Sequence, residues 1–201
     1  RNALNAALLG RSPTGSTTHI SVVDTDGMAV GITHSNGEGC GVIVPSSGVM
    51  MNNFLGEEDI NPQGFHAQLA GELMLTMMCP TIVSHPPDDG VPEIVVLGSG
   101  GSNRIRSAIL QVILNLTTHK MSLTDAVRAP RLHVEGGTLN IETGGFDPKT
   151  VNALCQRYER SVRFDEPNMF FGGVHVVTGH GGRFSGTGDA RRGGEVAICQ
   201  A

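Results

Sequence analysis

The residues in this sequence best suited to act as a nucleophile are the hydroxyls of Ser16, Thr17 and Thr18, which follow Gly15 and open a run of alternating side chains. A threonine can attack without a neighbouring His or Asp when it is the first residue of its chain. Its own α-amino group, with a reference pKa of about 7.7–8.0, then serves as the base. This chemistry requires cleavage of the Ser16–Thr17 bond. Taken by itself, Thr17 is more simply an ordinary β-branched strand residue.

A second chemical feature is the glycine-rich segment from Gly98 to Ser102, which lies between a predicted strand and a predicted helix. Consecutive glycines expose backbone N–H groups, and a helix N-terminus adds positive partial charge, so such a turn can hold a phosphate or an oxyanion. The dinucleotide motif G-x-G-x-x-G is incomplete, because Asn103 occupies the position of its last glycine. An oxyanion hole needs only two donors aimed at one oxygen and fits better.

Local patterns predict the elements that must position these two features. Thr17 to Asp24 alternates as a strand, Asp26-Gly27 is a strong hairpin signal, and Met28 to Ser35 is the returning strand. The glycine-rich segment follows a strand predicted at Glu93–Leu97. It precedes a helix whose apolar residues recur at helical spacing, at Ile105, Ala108, Ile109, Val112 and Leu116.

The remaining elements are shorter. Ser122 caps a helix ending near Ala129, and Asp147-Pro148 begins a helix that we expect to run to about Arg160. Helical propensity also allows a helix over residues 67–78. The other predicted strands are Thr81–Val83, paired with Glu93–Leu97 around a hairpin at His85–Gly90, then 132–135, 138–142, 162–164, 174–177 and 195–198. This order indicates a layered α+β domain and not a βαβ run.

The composition limits the class of protein. Of the 201 residues, 39% are hydrophobic and 16% are charged, which fits one folded domain and argues against disorder. The net charge of −5 and the scattered basic residues give no electrostatic reason to expect a nucleic-acid partner. Nor is a membrane partner expected, since no apolar run approaches the roughly 18 residues of a spanning helix.

Neither a metal nor an organic cofactor is implied. The cysteines lack metal-ligand spacing and disulfide-scaffold density, and we interpret them as buried or partly buried free thiols: Cys40, Cys79, Cys155 and Cys199. The loop histidines also lack ligand spacing: His34, His66 and His85.

Several segments follow the order in which they occur in the γ-glutamyltransferases. Thr17 to Asp24, followed by Asp26-Gly27, is similar to the start of that family's small subunit. The other similar segments are Val49–Asn53, Pro80–Val83, Gly98–Ser102, Ala126–Leu132 and Gly188–Arg191. The ordered set is specific and covers the chain from Thr17 to its end almost continuously.

The resemblance implies the four-layer αββα sandwich of the N-terminal-nucleophile hydrolases, with this chain as the small-subunit half. It also implies a precursor that cuts itself just before Thr17. Residues 1–16 would then be the tail of the large subunit, and residues 17–201 would be the small-subunit catalytic domain. The implied partner is the large subunit of the same precursor, which would complete a heterodimer.

The resemblance also assigns catalytic roles. Thr17 would attack the γ-glutamyl amide and carry the acyl group, and Ser35 would be the second hydroxyl that supports it. Gly100 and Gly101 match the family's oxyanion-hole glycines.

Substrate recognition resembles the family less closely. Asn36 is the match to an asparagine that contacts the substrate, and Glu57 to an acid that binds the substrate's α-amino group. Where the family has paired serines before its Met-x-Pro-Thr stretch, only Thr76 offers a hydroxyl here. Phe54 stands where a Glu or Gln is usual. Because these departures alter the residues that recognise the substrate, a related acylase activity is an alternative.

The function implied is γ-glutamyl transfer or hydrolysis on glutathione-type amides, through an acyl-enzyme on Thr17. One alternative is a cephalosporin-acylase-like amidohydrolase acting on glutaryl-type side chains. Another is a catalytically lapsed homologue that only binds or scaffolds.

The first residues affect what the chain could do by itself. Asn2–Leu9 is typical of the tail of a helix stopped by Gly10 and Pro13, and residues 1–16 lack the apolar core of a signal peptide. We expect the chain to be a fragment or a processed remnant that is inactive alone, because so short a segment cannot supply large-subunit helices or a substrate-binding arginine. The compartment, periplasm or cytoplasm, stays open.

Overall fold

The computed structural model describes residues 17–85 and 93–199. The predicted large-subunit tail 1–16, including the cleavage-site residue Ser16, and most of the predicted turn at His85–Gly90 lie outside them. The described strands are β1 (Thr17–Val23), β2 (Ala29–Ser35), β3 (Thr81–His85), β4 (Glu93–Gly100), β5 (Leu132–Glu135), β6 (Thr138–Glu142), β7 (Arg160–Phe164), β8 (Gly173–His180) and β9 (Arg183–Thr187). The described α-helices are α1 (Arg104–Thr117), α2 (Leu123–Arg128) and α3 (Pro148–Cys155). The α+β class is confirmed.

The first two strands form the predicted antiparallel hairpin, with Thr17 opposite Ser35 and Val23 opposite Ala29. The turn is fixed by the Asp24 carboxylate, which accepts from the N–H groups of Asp26 at 3.0 Å and Met28 at 2.8 Å. Because side chains alternate along a strand, every second residue of β1 faces the interior and the others face outward.

The second sheet has the order β3-β4-β8-β9, with all neighbours antiparallel. One of its faces packs against α1, and this contact forms the main hydrophobic core. Its buried members are Leu97, Ile105, Ala108, Ile109, Val112, Val127, Val174 and Val176. The periodicity predicted for α1 is therefore the periodicity of its buried face, and burial of that face stabilises the helix.

The hairpin lies across the opposite face of the same sheet, where glycines permit close approach. A Cβ at Gly98 would overlap the ring of His19, and one at Gly100 would stand 2.5 Å from the Thr17 carbonyl oxygen. On β8, a Cβ at Gly179 would stand 2.8 Å from Val23 Cγ1. Side chains at these positions would push β1 away from the sheet, so the glycines set the position of Thr17.

The third sheet has the order β5-β6-β7. β5 and β6, both predicted as strands, form an antiparallel hairpin around Gly136-Gly137, whereas β7 pairs parallel to β6 after the chain returns through α3. A smaller core of Leu139, Ile141 and Val151 holds α3 against this sheet.

A buried ionic network connects the C-terminal turn to both halves of the structure. Arg131 contacts Asp189 at 2.7 Å, and Arg191 contacts Glu142 at 2.5 Å and Asp189 at 3.3 Å. Burial by itself would raise the pKa of Asp189, but the charges of Arg131 and Arg191 outweigh it and hold that pKa below its usual value. The Asp189–Arg191 ion pair is therefore part of a larger network.

Several local predictions were wrong. Residues 67–78 form no helix, α3 ends at Cys155 because residues 160–164 are needed as β7, and β9 was missed. Residues 195–198 form no strand. Gly98–Gly100 belong to β4 and not to the turn, because they pair with Gly173–His175 of β8. Three of the cysteines are exposed, and Cys155 is partly buried.

The contact between Gly98 and His19 generates a stability prediction. Gly98→Ala should cost about 3 kcal/mol, because the new methyl group overlaps the imidazole in a closely packed interior. The measurement is urea unfolding of the full-length protein. Gly56→Ala is the control, since a Cβ there meets only Asn53 Nδ2 at 4.0 Å. An equal effect of the two substitutions would contradict the close packing of the hairpin on β4.

Candidate active site

The site is built around two hydroxyls on facing ends of the hairpin. Thr17 Oγ1 and Ser35 Oγ lie 2.8 Å apart, within hydrogen-bond distance. Ser35 Oγ also accepts from the Gly37 N–H at 3.1 Å, which leaves its own hydrogen available to Thr17. The pairing follows from the hairpin register, in which these residues are direct partners with side chains on the same face.

The loop after β2 brings an acidic group to this pair. Asn53 fastens the loop, because its side-chain oxygen accepts from the Glu38 N–H at 2.7 Å and its own N–H donates to the Asn36 carbonyl at 3.1 Å. Gly37 has a φ of 62°, and a Cβ there would stand 2.5 Å from Glu57 Oε1. The missing side chain thus makes room for the Glu57 carboxylate beside the loop.

Burial raises the pKa of Glu57, and the neighbouring carboxylates of Asp59 and Glu38 raise it further. A bound cation would offset this clustering of negative charge. This part of the site therefore suits the ammonium group of a substrate.

The turn from β4 into α1 forms another side of the site. Gly101 has a φ of 131° and Ser102 a φ of 52°, so the backbone reverses sharply between the end of the strand and the helix. Ser102 Oγ donates to Asp59, which joins this turn to the acidic segment. Backbone N–H groups at such a helix start are suited to an oxyanion.

These parts surround a cavity of about 370 Å³. It is lined by Thr17, Gly37, Glu38, Gly56, Glu57, Glu58, Asp59, Phe65, Gly101, Ser102, Arg104 and Arg192. The nucleophile candidate thus opens onto a polar cavity whose lining contains both carboxylates and guanidinium groups.

Behind Thr17, His19 lies between the two sheets and is 4% exposed. Its Nδ1 is 2.8 Å from Thr33 Oγ1, and its Nε2 is 2.9 Å from Ser21 Oγ. Since Ser21 donates to the His175 carbonyl at 3.2 Å, we assign the His19 hydrogen to Nε2, with Thr33 donating to Nδ1. Burial, together with nearby His175, lowers the pKa of His19 to about 4.

Of the residues predicted from sequence, the structure brings Thr17, Ser35, Glu57 and Gly101 together. Gly100 abuts the Thr17 carbonyl but ends β4 and does not line the cavity. Asn36 and Thr76 also lie outside the lining, and the exposed Thr76 accepts from the Met78 N–H at 3.2 Å. Their substrate contacts stay predictions.

No site role was predicted from sequence for His19, Gly37, Arg104 and Arg192, and Ser102 was predicted only as part of the Gly98–Ser102 segment. The signal available for Ser102 and Arg104 was their position at the start of α1. The close approach of Glu57 to Gly37 could not be predicted from neighbouring residues, because it depends on a loop conformation that the Asn53 side chain holds by hydrogen bonding.

In the part of the chain that the structure describes, no group of three or more His, Cys, Asp or Glu side chains is placed to hold a metal ion. Within the same residues, no helix has the length and apolar character needed to cross a membrane.

Comparison with known proteins gives a consistent family. The gamma-glutamyltranspeptidase family model matches residues 3–199. A glutathione hydrolase proenzyme of Arthroderma benhamiae is 33% identical over 162 residues, covering 75% of this chain and 27% of that protein. An Acylase ACY 1 proenzyme of a Pseudomonas species is 35% identical over 149 residues, covering 73% of this chain and 26% of the relative. The chain spans about a quarter of the length of these curated relatives.

Among solved structures, the chain is similar to a gamma-glutamyltranspeptidase from Pseudomonas nitroreducens complexed with L-DON. The TM-score is 0.74 at 26% identity, and the match covers 91% of this chain and 100% of the other. The small-subunit half of the αββα sandwich, predicted from sequence, is thereby confirmed as the fold.

The buried His19 generates a pH prediction. In the unfolded chain its pKa is about 6.5, whereas the folded value is about 4. Between these values the unfolded state binds more protons, so the free energy of unfolding falls as pH falls from 6.5 to 4. The free energy of unfolding lost through protonation of His19 is about 3 kcal/mol at most, and this loss is complete once the pH lies below the folded pKa. His19→Gln should therefore flatten the pH dependence of urea unfolding in this window.

His34→Gln is the control for this measurement, because it removes an exposed histidine from the outer face of the same hairpin. An unchanged slope in His19→Gln would show that His19 does not titrate differently in the two states.

Proposed function

Because the chain belongs to the γ-glutamyltranspeptidase family, we propose that Thr17 is the nucleophile of an acyl transfer that moves a γ-glutamyl group from an amide to water or to an amine. The observation that carries the proposal is the 2.8 Å contact between Thr17 Oγ1 and Ser35 Oγ at a cavity that also contains Glu57 and Gly101. A hydroxyl pair, a carboxylate and a backbone turn are the parts that such a reaction needs.

Activation of Thr17 requires its α-amino group, which cleavage of the Ser16–Thr17 bond would release. The free amine takes the hydroxyl proton as Thr17 Oγ1 attacks the amide carbonyl, and later steps return that proton to the leaving amine. Ser35 holds Thr17 Oγ1 in place, since the Gly37 N–H fixes the orientation of the Ser35 hydroxyl.

The negative charge of the intermediate needs backbone donors. Gly101 is the better placed of the two glycines predicted for this role, because it lines the cavity with Thr17. Ser102 follows it in the same lining, and we assign its N–H as the second donor. Gly100 contributes by allowing β1 to approach so closely.

Glu57 is the proposed partner of the substrate's α-amino group. Its carboxylate lies beside Gly37 in the cavity lining, with Asp59 and Glu38 close enough to raise its pKa. An ammonium group would relieve the repulsion among these carboxylates, which supports an amino-bearing acyl group such as γ-glutamyl.

A second candidate is an acylase that accepts glutaryl-type side chains, which lack that amino group. The similarity to an Acylase ACY 1 proenzyme and the presence of Phe65 in the cavity lining favour it. Rates on γ-glutamyl-4-nitroanilide and on glutaryl-4-nitroanilide decide between the two candidates.

The proposed partner is the large subunit of the same precursor. The outward face of the hairpin carries exposed apolar side chains, with Ile20 at 55%, Val22 at 48% and Ile32 at 53% exposed. A contiguous apolar face on a β-layer is typical of a surface covered by another layer. The length of the relatives beyond this chain supports a second subunit as that cover.

Thr17 can be tested in the full-length protein. Thr17→Ala should abolish both the appearance of a chain beginning at residue 17 and the release of nitroaniline from γ-glutamyl-4-nitroanilide. Thr17→Ser should retain both at reduced rate, because it keeps the hydroxyl. Mass spectrometry and a colorimetric assay are the measurements. Thr18→Ala, an exposed neighbour, is the control. Cleavage or turnover by Thr17→Ala would overturn the proposal, and an intact wild-type chain would indicate a lapsed homologue.

The hairpin face can be tested by charge. Ile32→Asp should prevent association of the two subunits, because an unpaired carboxylate in an apolar interface costs several kcal/mol. Size-exclusion chromatography of the co-expressed subunits measures this. Leu110→Asp, at a site 56% exposed on α1, is the matched control and should leave the heterodimer intact. A stable heterodimer with Ile32→Asp would show that this face is not the interface.

A further inference from the structure

The turn between β4 and α1 has a side chain where its backbone conformation favours glycine. Ser102 has a φ of 52°, in the left-handed region that costs free energy for any residue with a Cβ. The preceding Gly101, with a φ of 131°, adopts its own positive φ without a side chain. A contact made by the Ser102 side chain must therefore offset the cost of this conformation.

That contact is a hydrogen bond from Ser102 Oγ to Asp59, which lies far earlier in the chain. Hydrogen bonds to a carboxylate are stronger than those between neutral groups. The helix cap gives no equivalent support, because the N-cap residue Asn103 makes no side-chain capping hydrogen bond and its amide donates to Glu135 at 2.5 Å. Asp59 thus supplies a side-chain support for the turn that the cap of α1 does not.

The segment that carries Asp59 is itself held in place. It forms a short 3₁₀ helix, Glu58–Ile60, in which Ile60 is 3% exposed. Asn61 Nδ2 donates to the Glu57 carbonyl at 2.6 Å and so fixes the end of this helix. Because the neighbours of Asp59 are ordered, its carboxylate meets the turn with less loss of conformational freedom than a side chain on a mobile loop would.

The supported turn is the one that carries the proposed oxyanion donors. Gly101 and Ser102 both line the cavity with Thr17. Their carbonyls accept from the N–H groups of Arg104 at 3.1 Å and Ile105 at 3.0 Å, which joins the turn to the first turn of α1. The first N–H groups of a helix have no partner within it, so their direction depends on the backbone of the turn. A change in the Ser102 backbone would therefore turn the donors relative to Thr17.

Asp59 also belongs to the segment proposed to recognise the substrate. Glu57, two residues earlier, is the proposed partner of the α-amino group, and both side chains line the cavity. Burial raises the pKa of Glu57, and the charge of nearby Asp59 raises it further. The hydrogen bond to Ser102 thus connects the segment that would hold the acyl group to the turn that would stabilise the intermediate.

We propose that Asp59 is a positioning residue for the acyl transfer, because its hydrogen bond with Ser102 orients the backbone N–H groups of the Gly101–Ser102 turn toward the oxyanion. The inference rests on the proposed function, in which Thr17 forms a tetrahedral intermediate. Asp59 acts through Ser102 and not on the reacting atoms. Oxyanion donors contribute chiefly to the transition state, so loss of Asp59 should slow the reaction more than it weakens substrate binding.

The test uses the two subunits co-expressed as separate chains, with the smaller one beginning at Thr17, so that self-cleavage is not required. On γ-glutamyl-4-nitroanilide, Asp59→Ala should lower kcat about tenfold, because the donors are displaced but still present. Asp59→Asn keeps an oxygen that can accept from Ser102, and its kcat should stay within about threefold of wild type. Ser102→Ala removes the hydroxyl and should match Asp59→Ala.

Two inhibitors separate positioning from a simple loss of folded enzyme. Glutamate resembles the ground state. The boron of 2-amino-4-boronobutanoic acid instead bonds to Thr17 Oγ1, whose proton passes to the free α-amino group, and becomes a tetrahedral anion. Both inhibitors carry the same ammonium and carboxylate groups, so a change of charge near Glu57 affects both Ki values alike. Asp59→Ala should raise the ratio of the boronate Ki to the glutamate Ki about tenfold.

The double variant Asp59→Ala/Ser102→Ala should be no slower than either single variant, because both substitutions remove the same hydrogen bond. Glu166→Ala removes an exposed acid elsewhere on the chain and is the control for net charge. It should behave as wild type in both assays. If Asp59→Ala does not fold, Ser102→Ala provides the same comparison of Ki values.

A kcat for Asp59→Ala within twofold of wild type would overturn the proposal. So would a Ki ratio that stays constant while kcat falls, since inactive protein lowers kcat without changing either Ki, and so would losses that multiply in the double variant. If the wild-type protein releases no nitroaniline and is not inhibited by the boronate, the proposed function fails instead, and this outcome is distinct from the others.

Discussion

The close contact between the first hairpin and β4 is the constraint on which the rest of the structure depends. Gly98 and Gly100 lie under His19 and Thr17, at positions where any side chain would overlap them. This contact fixes the distance between the two β-layers, and with it the position of the Thr17 hydroxyl relative to the turn at Gly101. The nucleophile candidate is therefore held by backbone packing and by its register with Ser35, and not by a surface loop.

The charge state of the polar groups near this contact follows their exposure to solvent. His19, enclosed between the sheets, is held neutral by burial and hydrogen-bonds to two hydroxyls. Charged groups, both carboxylates and guanidinium groups, line the open cavity. Farther away, Asp189 and Arg131 are buried as a pair, which compensates the cost of removing each from water.

The predictions that held were those carried by a few neighbouring residues. The Asp24–Gly27 turn, the Ser122 cap of α2, the Asp147 cap of α3 and the buried stripe of α1 each depend on side chains within one or two turns of chain. Two of the predictions that failed depended on a distant partner. Gly98–Gly100 became strand because β8 lies beside them, and α3 stopped early because β7 pairs with β6.

The sequence by itself determined the family and the α+β class, and it predicted Thr17, Ser35, Glu57 and Gly101 as site residues, because the order of the motifs and the local periodicity are properties of the linear sequence. Only the tertiary structure decided that His19 is buried beneath Thr17, that Gly37 makes room for Glu57, and that Arg104 and Arg192 share the cavity. These pairs are far apart in sequence, and no local preference encodes them. They meet because the two sheets, packed through their glycines, bring the ends of separate strands to one place.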